Sequence, residues 1–310
     1  MKMRESIILI GIIVMGMASF SAADVIIETK TDMDMIGAGK VDMSQVQYIK
    51  NDRSYDESVT TLSGQMAAMT GGKKVKNVQI VRLDKGIGWT INPDEKSFTE
   101  FSFEQMKSNF AQSKQQNQAN TPLGEYDWKT DISKDLKTET ILDVDCKGIR
   151  AVSVGVNKND PKDSVFITNE QWFSDEVSGG DEFIDYSEKM AEAVGTGKGF
   201  MNQMSMNPML ARFGNQFEEI AKEFEACEGI PLKTVLIVEG TINPMAAAMG
   251  DRKLDEETKA MMKKMGMALP DETPEGGRHN FISLTSTITK IEEKSIEDSR
   301  YEVPEGYQKK

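Results

Sequence analysis

The clearest pattern of apolar and polar positions lies between Val75 and Phe103, and it predicts an antiparallel meander of three short strands. The turn signals DKG and NPD separate the three apolar runs. In the middle run Ile87, Trp89 and Ile91 alternate with smaller or polar residues, which is the period of a half-buried strand. Trp89 is therefore expected on an apolar face, either as core or as the lining of a cavity for an apolar ligand.

Other apolar runs predict further strands on both sides of the meander. They are Asp24–Lys30, Gln45–Tyr55, Lys137–Val144, Ile149–Val156, Ser164–Phe173, Pro231–Glu239 and Arg278–Lys290. A turn at Cys146-Lys147-Gly148 is expected to join the third and fourth of these. Two glycine-bounded stretches, Thr31–Met43 and Leu62–Gly72, are predicted to be loops.

Apolar residues at helical spacing predict two helices in the second half of the chain. The first follows Gly180, with Asp181 as its N-cap, and is stopped by the glycines after Val194. The second begins near Asn207-Pro208. Its apolar stripe consists of Leu210, Phe213, Phe217, Ile220 and Phe224. The stripe is expected to pack on the sheet, with a lid over a lipid site or a partner surface as alternatives.

The N-terminal pattern predicts export. Residues 1–23 combine a short basic start, an apolar run and small residues at Ser21-Ala22-Ala23, as in a signal peptide. The mature chain, residues 24–310, is predicted to be one domain with a methionine-rich insertion at Thr241–Gly277. No later segment is apolar enough to cross a membrane. The expected location is outside the cytoplasm, in the periplasm if the cell has two membranes.

The net charge narrows the classes of possible binding partner. The 310 residues carry a formal charge of −13, which argues against nucleic acid and anionic membrane surfaces as partners.

Two cysteines in an exported chain suggest a disulfide between Cys146 and Cys227, with two separate buried thiols as the alternative.

The sequence contains few residues of the types that form catalytic or metal-binding sites. His279 is the single histidine, so neither an imidazole-dependent hydrolase nor a zinc site finds its usual set of residues. The glycine-lysine segments near Gly71 and Gly195 do not complete a phosphate-binding loop. We therefore expect a protein without catalytic activity and without a cofactor.

Methionine is the unusual component of the composition, with 21 residues. Thioethers bind Cu(I), so Met201, Met204, Met206 and Met209 are candidate ligands in an alternative copper-binding function. The simpler interpretation is a flexible and adaptable apolar surface.

Three segments in order carry a family resemblance: YIKNDRSYDE (Tyr48–Glu57), IVRLDKGIGWTINPDEKSFTEF (Ile80–Phe101) and ITKIEEKSIEDSRYEVPEGY (Ile288–Tyr307). Together they resemble a family of exported bacterial proteins that is in turn similar to the outer-membrane lipoprotein carrier and receptor proteins (LolA/LolB-like). The three segments span most of the mature chain. The methionine-rich insertion is additional to the pattern of those carriers.

The resemblance implies an α+β, mainly β fold in which a strongly curved antiparallel sheet, an incomplete barrel, has helices closing its concave face. It implies a hollow for lipid, acyl chains or another amphiphile, with Phe183–Val194 and Leu210–Phe224 as lids. Strand alternation selects the candidate lining: Trp89, Ile91, Val152, Val154, Leu236, Val238, Ile282, Leu284 and Ile288. A soluble binding protein is the leading expectation, and an envelope protein-interaction module is a further alternative to copper binding.

Overall fold

The computed structural model describes residues 24–35, 39–72, 74–108, 112, 126–195, 214–225, 227–241, 260 and 277–310. The predicted signal peptide, Phe213, the four candidate copper-binding methionines and nearly all of the insertion lie outside these residues. The account below concerns the described part of the chain.

Twelve strands form one sheet. In chain order they are β1 (Val25–Met35), β2 (Gly39–Lys50), β3 (Arg53–Leu62), β4 (Val75–Arg82), β5 (Ile87–Asn92), β6 (Ser97–Ser102), β7 (Tyr126–Ile141), β8 (Val144–Asn157), β9 (Ser164–Ser174), β10 (Ile230–Gly240), β11 (His279–Glu293) and β12 (Gln308–Lys309). The helices that accompany them include α1 (Gly64–Thr70), α2 (Gly180–Val194) and α3 (Gly214–Glu225). Residues 103–108 are helical as well.

The order of strands across the sheet is β12-β6-β5-β4-β3-β2-β1-β11-β10-β9-β8-β7. All neighbours are antiparallel except the short β12, which lies parallel to β6. The first strand and the last long strand, β1 and β11, pair in the middle and join the two halves. The sheet is curved and is not closed into a barrel, so the predicted mainly β fold class is confirmed.

Both long helices lie on the same face of the sheet, which we call the helix face. Tyr186 of α2 donates a hydrogen bond to Ser54 on β3, and Gln216 of α3 donates one to Ser153 on β8. The register connects Ser153, through Ile167, Val238 and Ile282, to Met35 on β1. From β1 it leads back through Val25 and Ile49 to Ser54, so both contacts are on one side.

The opposite face, which we call the tail face, is covered at one end by the C-terminal segment. Val303 and Tyr307 pack against Val78, Ile80 and Trp89. Ile296 and Tyr301 pack beside Ile26 in a smaller neighbouring cluster.

Two apolar clusters lie largely on the helix face, although the second also includes Cys146 and Trp172 on the other side of the sheet. A row of polar side chains crosses the helix face between them on β1, β11 and β10, whereas on β9 the first cluster continues past the row to Phe173. The α3 cluster includes Phe217, Ile220, Phe224 and the sheet residues beneath them. The α2 cluster includes Val25, Ile27, Ile49, Val81 and Tyr186. The polar row consists of Thr31, Ser286, Thr234 and Gln171, which face one another in register on β1, β11, β10 and β9.

Two predicted loops are wrong. Thr31–Met43 is mostly strand, because the alternation of Thr31, Met33 and Met35 with polar residues continues β1. Leu62–Gly72 contains α1, which ends at Gly71 in the left-handed conformation.

The predicted strand Gln45–Tyr55 is in fact a hairpin, because Asn51 takes a positive φ of 51° and turns the chain between β2 and β3. The hairpin of β7 and β8 exists as predicted, but it turns at Leu142 and Asp143, and Cys146 lies within β8. The helix α2 has Gly179 rather than Asp181 at its N-cap.

Candidate functional site

The α3 cluster is the apolar region that agrees best with the predicted lining. Four of the nine predicted residues lie there: Leu236, Val238, Ile282 and Leu284. All four are at most 2% exposed, and the register places them side by side on β10 and β11. Strand alternation thus selected four neighbouring buried residues, which form part of the sheet surface beneath α3; we call this surface the floor.

The other five predicted residues lie elsewhere. Ile288 is buried with the α2 cluster, beyond the polar row. Trp89 and Ile91 lie on the tail face, where they pack with Ile80 under the C-terminal segment. Val152 and Val154 are half-buried on the tail face, because their neighbours Ala151 and Ser153 point towards α3. The nine residues do not form one surface.

The helix α3 covers the floor with the stripe that its sequence predicts. Phe217, Ile220 and Phe224 are buried in the α3 cluster, together with Ala221. Exposed charged residues, such as Glu223, occupy the outer side of the helix. Phe213 lies outside the described residues, so its predicted role as part of the lid stays a prediction.

The sequence pattern did not predict the polar side chains that lie beneath α3. The Nε2 atom of Gln216 lies 2.8 Å from Oγ1 of Thr130 and 3.0 Å from Oγ of Ser153. These two hydroxyls are 2.8 Å apart, and Gln216 is 3% exposed. The signal in the sequence is weak: Gln216 is four residues before Ile220, on the apolar side of the helix.

An aromatic pair on β7 extends the floor towards the edge of the sheet. Trp128 packs against the α3 cluster, with its ring centroid 5.8 Å from that of Tyr126. Gly155 on β8 makes room for it, because a Cβ atom there would lie 2.8 Å from Cζ3 of the indole. Trp128 is therefore on the helix face, whereas Trp89 and Trp172 are on the tail face.

The predicted disulfide is wrong: Cys146 and Cys227 are free thiols. Cys146 is buried on the tail-face side of β8, whereas Cys227 follows α3 and packs against the α3 cluster. Burial raises the pKa of both thiols.

The polar chemistry of the described residues gives no obvious reactive centre. His279 is 4% exposed, and burial lowers its pKa below the ordinary value for histidine. No group of three or more histidine, cysteine, aspartate or glutamate side chains within the described ranges is arranged to hold a metal ion. Among the helices that the structure describes, none has the length and apolar character needed to cross a membrane.

Known proteins show little likeness to this chain. No protein-family model matches the chain, and no curated protein matches it. Among solved structures, it is similar to a LolA superfamily protein from Nitrosomonas europaea, with 9% identity over 91% of each chain. The TM-score is 0.24, a value at which the likeness carries no argument about function. The fold class follows from the chain's own twelve-stranded sheet.

Proposed function

We propose that the protein is a non-catalytic binding protein for the acyl chain of a lipid or another amphiphile, with the α3 cluster as its site. The observation that supports the proposal is the way α3 covers the sheet. Among the described residues, one helix of twelve residues, α3, covers an apolar floor formed by several long strands. A helix of this length is only marginally stable by itself, so packing on the floor is what keeps it folded.

A ligand would replace the helix stripe on this floor. Lifting Phe217, Ile220 and Phe224 exposes Leu236, Val238 and Ile282, which an acyl chain would then cover. Burial of each CH₂ group contributes about 0.8 kcal/mol, so a chain of several carbons offsets the contacts that α3 loses. The hydroxyls of Thr130 and Ser153, released from Gln216, would remain available to a polar linkage of the ligand.

The three tryptophans provide a test that locates the ligand. Replacing Trp89 and Trp172 by phenylalanine leaves Trp128, beside the proposed site, as the only indole. Replacing Trp128 and Trp172 leaves Trp89, on the opposite face, as a matched control. The probe is an uncharged monoacylglycerol with a brominated chain, because bromine quenches an indole that it contacts.

We expect saturable quenching of Trp128, below the concentration at which the probe forms micelles, and little quenching of Trp89. Circular dichroism of both variants verifies that they are folded. Absence of quenching at Trp128, or equal quenching of both indoles, would contradict the proposed site. Native mass spectrometry of the protein purified from its native envelope then identifies the class of any lipid that it carries.

A further inference from the structure

We propose that a groove on the tail face is a second ligand site, which binds a small organic anion with an apolar body. The groove lies between β3, β4 and β5 on one side and the C-terminal segment on the other. Its volume is about 550 Å³. This volume falls in the range of about 300–1,000 Å³ that is typical of small-molecule sites. We call it the tail groove.

The floor of the tail groove is apolar. Val78, Ile80 and Ile91 line it, and each is at most 5% exposed. Tyr55 and Tyr307 stand at its sides. An apolar ligand body of modest size would therefore contact aliphatic side chains below and aromatic rings beside it.

Arg300 supplies the positive charge. Its guanidinium carbon lies 4.1 Å from the ring centroid of Tyr48 and 5.2 Å from that of Tyr55, so the two rings hold it in place. Within the described ranges, no carboxylate forms an ion pair with Arg300. The planar guanidinium group of Arg300 is thus already oriented, and its N–H groups can donate two hydrogen bonds to a carboxylate.

Most other charges around the tail groove are neutralised by partners. Lys76 Nζ lies 2.8 Å from Glu57 Oε1, and Glu302 pairs with both Arg82 and Lys85. Glu297 is the lining carboxylate for which no ion pair is found among the described residues. Its charge would repel a second anionic group, so a ligand with one carboxylate is favoured over a dianion.

The tail groove is independent of the α3 cluster, because the full thickness of the sheet separates them. Binding can therefore be tested without reference to the proposed function. The probe is 2-naphthoate, which combines one carboxylate with a rigid apolar body. Two probes of similar shape, the uncharged 2-naphthylmethanol and the cationic 2-naphthylmethylamine, isolate the contribution of charge. Dissociation constants are measured by equilibrium dialysis with the full mature chain.

Three variants sharpen the test. Arg300→Gln removes the anion-binding group and is expected to weaken 2-naphthoate binding by roughly tenfold or more. Arg278→Gln is the matched control, because Arg278 also stacks on an aromatic ring, 3.6 Å from the centroid of Phe166, but at a distant position. Ser299→Trp places a large side chain at an exposed position of the groove wall and should abolish binding without disturbing the core.

The proposal is supported if 2-naphthoate binds at least tenfold more tightly than the alcohol, and if only Arg300→Gln and Ser299→Trp weaken it. It is overturned if no saturable binding occurs, if Arg300→Gln and Arg278→Gln behave alike, or if the amine binds more tightly than the acid. Thermal unfolding of each variant verifies that a loss of binding is not a loss of folding.

Discussion

At the scale of single residues, Asp56 is the clearest case of a charge in an unfavourable environment. It lies on β3, on the helix face, where it accepts hydrogen bonds from Ser54 and Gln45. Burial raises the pKa of Asp56 to about 6. The folded protein therefore takes up a proton as the pH falls through 6, whereas the unfolded chain does so only near the ordinary pKa of about 4.

We expect this carboxyl group to make the folded state more stable as the pH falls from 7 towards 4. Asp56→Asn should raise the free energy of unfolding by about 1–2 kcal/mol at pH 7.5, and the gain should shrink below pH 6 and vanish only below about pH 3.5. Urea unfolding of both proteins at several pH values measures the difference. Asp94→Asn, in the exposed turn after β5, is the control. A gain from Asp56→Asn that is the same at every pH would contradict the assignment.

The two thiols give a second prediction at this scale. Without any reductant, the folded protein should react with a thiol reagent at Cys227 first, because Cys227 is partly exposed and Cys146 is fully buried. Denaturation should then release the second thiol. Two titratable thiols in the unreduced, denatured chain would confirm that both cysteines are free. A chain whose thiols react only after reduction would contain the disulfide and contradict the structure.

At the scale of elements, the attachment of α3 depends on one polar contact within an apolar interface. Gln216→Ala leaves the hydroxyls of Thr130 and Ser153 with no side-chain partner but each other among the described residues. We expect α3 to undock more readily, with a cost of about 1 kcal/mol. Amide hydrogen exchange should become roughly fivefold faster in α3, while the strands of the sheet keep their protection.

A matched substitution on the other side of the same helix tests this interpretation. Glu223→Ala removes an exposed side chain and should leave exchange in α3 nearly unchanged. Equal acceleration by Gln216→Ala and Glu223→Ala would indicate that helix propensity, rather than the buried hydrogen bonds, determines how α3 is held.

The elements also show what the sequence could and could not predict. Turn signals and alternation identified most strands, because both act within a few residues of the chain. Which residues of a strand lie on the helix face depends on the register of strand pairing. The register in turn depends on partner strands that are far away in the sequence. Val152 therefore entered the predicted lining although Ala151 and Ser153 occupy that face. The same limit explains Trp89. Its place on the apolar side of β5 was predicted correctly, but the C-terminal segment that covers it could not be predicted from local sequence.

At the scale of the whole molecule, β1 and β11 pair at the centre of the sheet. Neither half of the sheet has a complete set of neighbours without this pair, so we expect one cooperative unfolding transition. Ile282→Ala, a fully buried change in the α3 cluster, should destabilise the protein by about 2–5 kcal/mol. It should lower the urea midpoint reported by Trp89 as much as that reported by Trp128.

The single-tryptophan variants described above provide both signals. If the Trp89 signal kept its original midpoint while the Trp128 signal moved, the two halves would unfold separately. Because the central pairing joins residues more than 200 positions apart, refolding should also be slow for a chain of this size.

The polar row across the helix face has a consequence for the size of the ligand. Between Val238, deep in the α3 cluster, and Thr234, in the polar row, the chain advances four residues along β10. At about 3.3 Å per residue, the stretch of β10 between these two residues is roughly 13 Å long. Beyond it, a hydrocarbon would have to cover hydroxyl and amide groups, which costs free energy. Under the proposed function, the polar row limits apolar contact along β10 and β11. Short acyl chains fit whole beside these two strands, whereas longer ones must protrude or bend towards Phe173 on β9.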